Sequence, residues 1–221
     1  MRQAQTPLQN DAQGFVLAGG KSNRMGTDKA LVDFQGQPLI VRALATLHEA
    51  GVPGFIAGSR VSLENYATVI ADPGLGPLGG ICAALASAWA SAVVFLSVDM
   101  PLIPAGLLER MLDHARISEA AITLASVNGY PQTFPAIVQR AALPALESAF
   151  QEGNRGCFTA FQSAATRMGR PLVILPVELL AQVGQVAHQD GLHPSLWFQN
   201  LNQPADIACA ESIVAAHHRV S

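Results

Sequence analysis

Short apolar runs that carry no charge alternate along this chain with segments whose apolar residues recur at helical spacing, and that alternation narrows the possible folds more than any other feature. Gly14-Phe-Val-Leu-Ala18 and Val93-Val-Phe-Leu-Ser-Val98 read as strands buried on both faces, because a strand with one wet face alternates apolar with polar residues. Further strands are expected at Gly54 to Ala57, Thr68 to Ala71, Ala121 to Ala125, Phe134 to Val138 and Leu172 to Leu175. Helices are expected at Leu39 to Ala50, Gly79 to Ala90, Pro104 to Ala115, Ala141 to Phe150 and Pro204 to Ala216. Between the last strand and the last helix lies a connection rich in Gly, Gln and His.

Strands that alternate with helices and bear no charge predict an α/β fold: one Rossmann-like domain with a mostly parallel sheet and helices on both faces. Ligands of such sheets bind beyond the carboxyl ends of the strands, which directs attention to the loops after Ala18 and Val98. Half of the 221 residues are apolar and 13% are charged, enough apolar surface for one sizeable core. The domain is expected over 13–221, preceded by a flexible tail at 1–12.

A net charge of −3 creates no global field that would draw a phosphate backbone, so no nucleic-acid partner is expected. Pro73 to Val98 carries no charge but opens with Pro and glycines and changes from helix-like to β-branched, so it reads as a buried helix and strand and no membrane span is expected. Cys82, Cys157 and Cys209 form neither a disulfide framework nor a CxxC pair, and the polar start is unlike a signal peptide; a cytoplasmic location is expected. The six histidines show no metal-ligand spacing and read as mostly solvated, while Trp89 and Trp197 read as packing residues.

Chemistry concentrates in Leu17-Ala-Gly-Gly-Lys-Ser-Asn-Arg-Met-Gly-Thr-Asp-Lys29, directly after the first strand. Gly19 and Gly20 allow backbone N–H groups close to an anion, and Lys21, Arg24 and Lys29 supply positive charge. The chain has two lysines, and both lie here, a distribution that favours a phosphate site over a solvated turn. The loop is not a Walker A motif, because Phe15 stands where that motif requires glycine. A second candidate is Asp99, which ends the apolar run from Val93 and suits Mg2+, a cation that takes one or two protein carboxylates beside phosphate oxygens and water. A helix cap ahead of Pro104 is the competing reading for Asp99. Asp72, followed by Pro-Gly-Leu-Gly-Pro-Leu-Gly79-Gly80, is the third, with a plain turn as its alternative.

The stretch from Leu17 to Leu31 resembles the signature loop of the molybdenum cofactor guanylyltransferase (MobA) family, and Asp99-Met-Pro, Asp72 with its glycine run, and Asn200-Leu-Asn202-Gln-Pro-Ala-Asp206 are similar to other segments of it. The resemblance implies GTP and the molybdopterin cofactor as substrates and Mg2+ as cofactor. It implies nucleotide contacts by Leu17, Ala18, Gly19, Gly20, Lys29, Asp72, Gly79 and Asp99, with Asp99 on the metal and Arg24, Lys29 and Asp99 as the catalytic set. Arg155, Asn200 and Asn202 would hold the pterin; period two would put the two asparagines on one strand face. A nucleotide half at about 13–115 and a pterin half at about 116–210 follow, as does handover to molybdoenzymes or their chaperones. The chain departs from the family at Gln203, where Thr is usual, and in its long stretch from Arg167 to Gly191.

The expected reaction is transfer of GMP from GTP to the cofactor, releasing pyrophosphate. Cytidylyl transfer to the same acceptor and nucleotidyl transfer to a sugar or polyol phosphate remain open, as does a silent nucleotide-binding regulator. Gly19-Gly20 leans towards guanine, since related cytidylyltransferases resemble Leu-Ala-Ala-Gly there.

Overall fold

The computed structural model describes residues 11–19, 28–58 and 61–218. In chain order these form β1 (Ala12–Leu17), a 3-10 turn (Lys29–Leu31), the short pair β2 (Asp33–Phe34) and β3 (Gln37–Pro38), α1 (Leu39–Glu49), β4 (Gly54–Gly58), β5 (Val69–Ala71), α2 (Pro77–Ser87), β6 (Ala92–Ser97) and α3 (Ala105–Ile117). There follow β7 (Ile122–Val127), β8 (Tyr130–Gln139), α4 (Leu143–Gln151), α5 (Cys157–Met168), β9 (Leu172–Pro176), α6 (Val177–Gln182), α7 (Pro194–Trp197) and α8 (Pro204–His218).

Seven strands make one sheet in the order β5-β4-β1-β6-β8-β7-β9. All pairings are parallel except those of β8, which runs antiparallel to both β6 and β7. The α/β class and mostly parallel sheet are therefore as expected. The antiparallel insertion follows from a two-residue hairpin at Asn128-Gly129, whose φ values of 52° and 77° match the primed turns that suit the twist of paired strands.

Side chains of alternate residues separate two apolar layers. Ala12 and Val16 of β1, with Val94 and Leu96 of β6, pack under α1, α3 and the C-terminal helices. Phe15, Val93 and Phe95 face α2, α4 and α5. Gly14 and Gly54, paired in register, let α1 lie close on the sheet: a Cβ at Gly14 would come 2.7 Å from Leu47 Cδ2, and one at Gly54 would come 3.0 Å from Leu44 Cδ2.

Several expectations change. β1 starts at Ala12, which is 1% exposed, so the strand extends into the stretch read as tail; residues 1–10 lie outside the described residues. Helix α5 was not anticipated, although Cys157, Ala160, Phe161, Ala164 and Ala165 bury one face at helical spacing. Asn200 and Asn202 lie in a loop between α7 and α8 and not on a strand: the N–H of Leu201 donates to Asp99 O and that of Asn202 to the Asp206 side chain, single bonds that form no ladder. Trp197 is buried as a packing residue, its Nε1 donating to Leu192 O at 2.9 Å, whereas Trp89 is 55% exposed.

His188 also departs from the solvated reading. Its side chain is 5% exposed, with the ring near Trp197 and Nδ1 accepting from the Asp190 N–H at 3.1 Å. Burial is the main influence on this imidazole and lowers its pKa; Arg42 and His217 push the same way, while Asp190 and the backbone of Leu102 oppose. The folded pKa thus lies below the unfolded value near 6.5, so the unfolded chain takes up the proton first. The stability that neutral His188 contributes is present above pH 6.5 and declines as pH falls from there towards the folded pKa. Thermal melts should show Tm falling on acidification from pH 7 to pH 5, with a shallower fall for His188→Gln; equal slopes would exclude His188 as a source.

Candidate active site

The four strands β5, β4, β1 and β6 are mutually parallel, so their carboxyl ends share one edge. The connection from β1 leads to β4 on one side, while β6 lies on the other, and a crevice opens where the strand order reverses. Leu17, half-buried, faces Ser97 in register at that edge, and Ala18 continues the ladder by donating to Ala57 O at 2.9 Å.

Gly19 follows, and its lack of a side chain has a specific cause. A Cβ there would stand 2.1 Å from Asp72 Oδ2, and one at Gly80 would stand 3.2 Å from the same oxygen. The Asp72 carboxylate is thus wedged between the loop after β1 and the first turn of α2. It is held there because Oδ1 accepts from the Gly74 N–H at 2.8 Å and its own N–H donates to Gly58 O at 3.1 Å. The loop after β1 and the segment from Asp72 to Gly80 thus meet at one carboxylate. Gly79, buried in the same first turn, packs against Leu75 and Pro73 and does not reach Asp72 within the contacts that Gly80 makes.

Lys29 is presented by the 3-10 turn, which Asp28 caps by accepting from the Ala30 N–H at 3.1 Å. The following hairpin of β2 and β3 is braced by α8, where Glu211 Oε1 accepts from the Gln35 N–H at 2.9 Å. So placed, the Lys29 ammonium donates to Asp99 Oδ2 at 2.7 Å and to Asn202 Oδ1 at 2.5 Å. The ion pair is partly shielded, with 16% and 18% of the two side chains exposed, so it is screened less than a surface pair. Asp99 is itself oriented: Ser97 Oγ donates to Oδ1 at 2.5 Å, and the main-chain oxygen accepts from Leu201 N–H at 2.9 Å. Asp206 Oδ2 accepts from the N–H groups of both Asn202 and Gln203 at 2.8 Å, tying this loop to the start of α8.

Lys29, Asp99 and Asn202 therefore converge, while Asn200 is exposed beside them. Arg155 is engaged elsewhere: its Nη1 donates to Phe150 O at 2.7 Å at the end of α4, and its guanidinium lies 4.0 Å over the Phe150 ring. Gly20 and Arg24 fall outside the described residues. Ser97 and Asp206 also take part: Ser97 is the last residue of β6, and Asp99 lies in the turn directly after it, closed by Met100 N–H donating to Ser97 O at 3.2 Å, which brings the carboxylate back to the Ser97 hydroxyl.

Among the described residues no group of three or more His, Cys, Asp or Glu side chains could cage a metal ion. One oriented carboxylate nonetheless fits Mg2+, which keeps most of its water and takes further oxygens from a polyphosphate. No helix among the described residues is long and apolar enough to cross a membrane. Cys82 and Cys157 are pushed by burial up to about 11 and stay protonated at neutral pH, and the exposed contact of Ser195 Oγ with His193 Nδ1 at 2.8 Å caps the start of α7.

Comparison with known proteins gives a consistent picture. The family model described as "MobA-like NTP transferase domain" matches residues 14–203. A molybdenum cofactor guanylyltransferase from Rhodobacter capsulatus is 30% identical over 210 residues, 90% of this chain and 94% of that protein. One of the same name from Xanthomonas euvesicatoria is 44% identical over 107 residues, 48% of this chain and 56% of that relative. The crystal structure of molybdopterin-guanine dinucleotide biosynthesis protein A from Archaeoglobus fulgidus superimposes with a TM-score of 0.72 at 23% identity, covering 92% of this chain and 99% of that one, a likeness of fold.

The wedge at Gly19 yields a direct expectation. In Gly19→Ala the new methyl group must push Asp72 off Gly74, which should cost up to about 1.5–3 kcal/mol, the usual range for a hydrogen bond to a charged group. Chemical denaturation of Gly19→Ala and of the double variant Gly19→Ala, Asp72→Gly would measure this. Measured against Asp72→Gly alone, adding Gly19→Ala should cost much less than it does in the wild-type chain, because the carboxylate it displaces is already gone.

Proposed function

The chain belongs to the MobA-like NTP transferase family, and from that premise we propose that it transfers GMP from GTP to the molybdenum-pterin cofactor, releasing pyrophosphate. The observation that carries this reading is the convergence of Lys29, Asp99 and Asn202 beside the glycine loop at the reversal of strand order.

In this reaction a terminal phosphate oxygen of the pterin attacks the α-phosphorus of GTP. A new P–O bond forms, the bond from the α-phosphorus to the bridging oxygen breaks, and the electron pair leaves with pyrophosphate. The attacking phosphate is already anionic at neutral pH, so no general base is needed. That agrees with a site built from a cation, a carboxylate and amides. What the protein must supply is alignment of two polyanions and positive charge where they repel. Lys29 and Arg24 would neutralise the triphosphate, and Gly19 and Gly20 would bring main-chain N–H groups to it. Leu17, Ala18, Asp72 and Gly79 would border the nucleoside. Asp99 would hold Mg2+, which when bound acts as a Lewis acid towards the phosphoryl oxygens. Asn202 and Asn200 would meet the acceptor, with Arg155 on the outer side.

The test is to incubate the purified chain with Mg2+, the pterin cofactor and GTP, CTP or ATP in turn, and to weigh the products by mass spectrometry. A product heavier by GMP, with pyrophosphate released, is expected with GTP; product formed with CTP alone would overturn the base assignment. Asp99→Asn should lower kcat by about 100-fold or more while its circular dichroism melt stays cooperative, the scale on which loss of an electrostatic catalytic group is felt. Near-normal turnover would remove Asp99 from the metal site.

A further inference from the structure

Lys29 and Ser97 each occupy one oxygen of Asp99, and the lysine charge stands where a divalent ion on Oδ2 would be repelled. One carboxylate oxygen, Oδ1, accepts the Ser97 hydroxyl at 2.5 Å; the other, Oδ2, holds the Lys29 ammonium at 2.7 Å. A dication on Oδ2 would stand within a few ångströms of that ammonium, a like-charge contact in a crevice where both side chains are more than four-fifths buried. The ammonium has a second reason to stay, its bond to Asn202 Oδ1. Asn202 is in turn held through its main chain by Asp206, so the anchor is part of a loop tied to α8.

Resting on the assignment of Asp99 to the metal, we infer that Lys29 is a resident counter-cation on Asp99, which a divalent ion must displace and which a triphosphate draws away by offering it new oxygen partners. Metal and nucleotide then bind cooperatively. Each removes the obstacle to the other, because the triphosphate frees Asp99 and the metal frees Lys29. The coupling is a property of this ion pair and must be reciprocal. Asn202 sets its strength, since the amide oxygen steadies the ammonium in the position that blocks the carboxylate. As the same amide faces the acceptor in the proposed reaction, withdrawal of Lys29 also releases Asn202 for the second substrate.

The experiment is a titration of the full chain with Mn2+, with free ion followed by electron paramagnetic resonance, with and without the unreactive analogue α,β-methylene-GTP. Wild-type protein, Lys29→Gln, Asn202→Ala and Asp99→Asn are compared, each checked for a cooperative melt. Wild type should bind Mn2+ weakly alone and about 5- to 150-fold more tightly with the analogue, the usual range of coupling between sites. Lys29→Gln should bind Mn2+ alone about tenfold more tightly than wild type and gain less from the analogue. Asn202→Ala keeps the charge and should move the same way by a smaller factor. Mn2+ binding that is indifferent to both substitutions overturns the inference and leaves the assignment of Asp99 standing. Absence of Mn2+ binding in every sample, or binding that survives Asp99→Asn unchanged, overturns both.

Discussion

An ammonium group 2.7 Å from a carboxylate ties together parts of the chain that lie far apart in sequence. Lys29 comes from a capped turn after the first strand, Asp99 from the end of β6, and Asn202 from the loop before α8. Each is held by its own local device: Asp28 caps the turn, Ser97 fixes the carboxylate, and Asp206 gathers the N–H groups of the C-terminal loop. The partly shielded pair makes these separate placements depend on one another, because either charge left alone there would lose its compensation.

The sheet explains why the pair forms at that edge. Parallel strands deliver their carboxyl ends to one side, and the reversal of order between β1 and β6 leaves a gap between the loops that follow them. The opposite layers divide the labour. Helix α1 presses on Gly14 and Gly54, while α2 brings Gly80 to Asp72 on the other face. Asp72 thereby serves as a spacer between the glycine loop and α2, whatever it also does for a ligand.

Much of this was legible from residue order alone. Strands β1, β4, β5, β6, β7, β8 and β9 all lie where uncharged apolar runs predict them, and five of the helices follow their apolar spacing. Helix α5 is equally readable in the spacing of Cys157, Ala160, Phe161, Ala164 and Ala165, which bury one face. The hairpin at Asn128-Gly129 carried its own signal and would have foretold the antiparallel β8. The loop character of Asn200 to Asn202 was hidden, because a period of two fits an extended loop as well as a strand and only hydrogen-bond partners separate them.

Local order thus determined the fold class, the glycine loop with both lysines, and the carboxylate at the end of a buried strand, since each depends on residues close together in the chain. Tertiary structure alone decided that Lys29 rests on Asp99 and Asn202 and that Gly19 is glycine because of Asp72. These are contacts between residues far apart in sequence. Which charge meets which is set by strand order and loop path, and no spacing along the chain encodes a distance across the sheet.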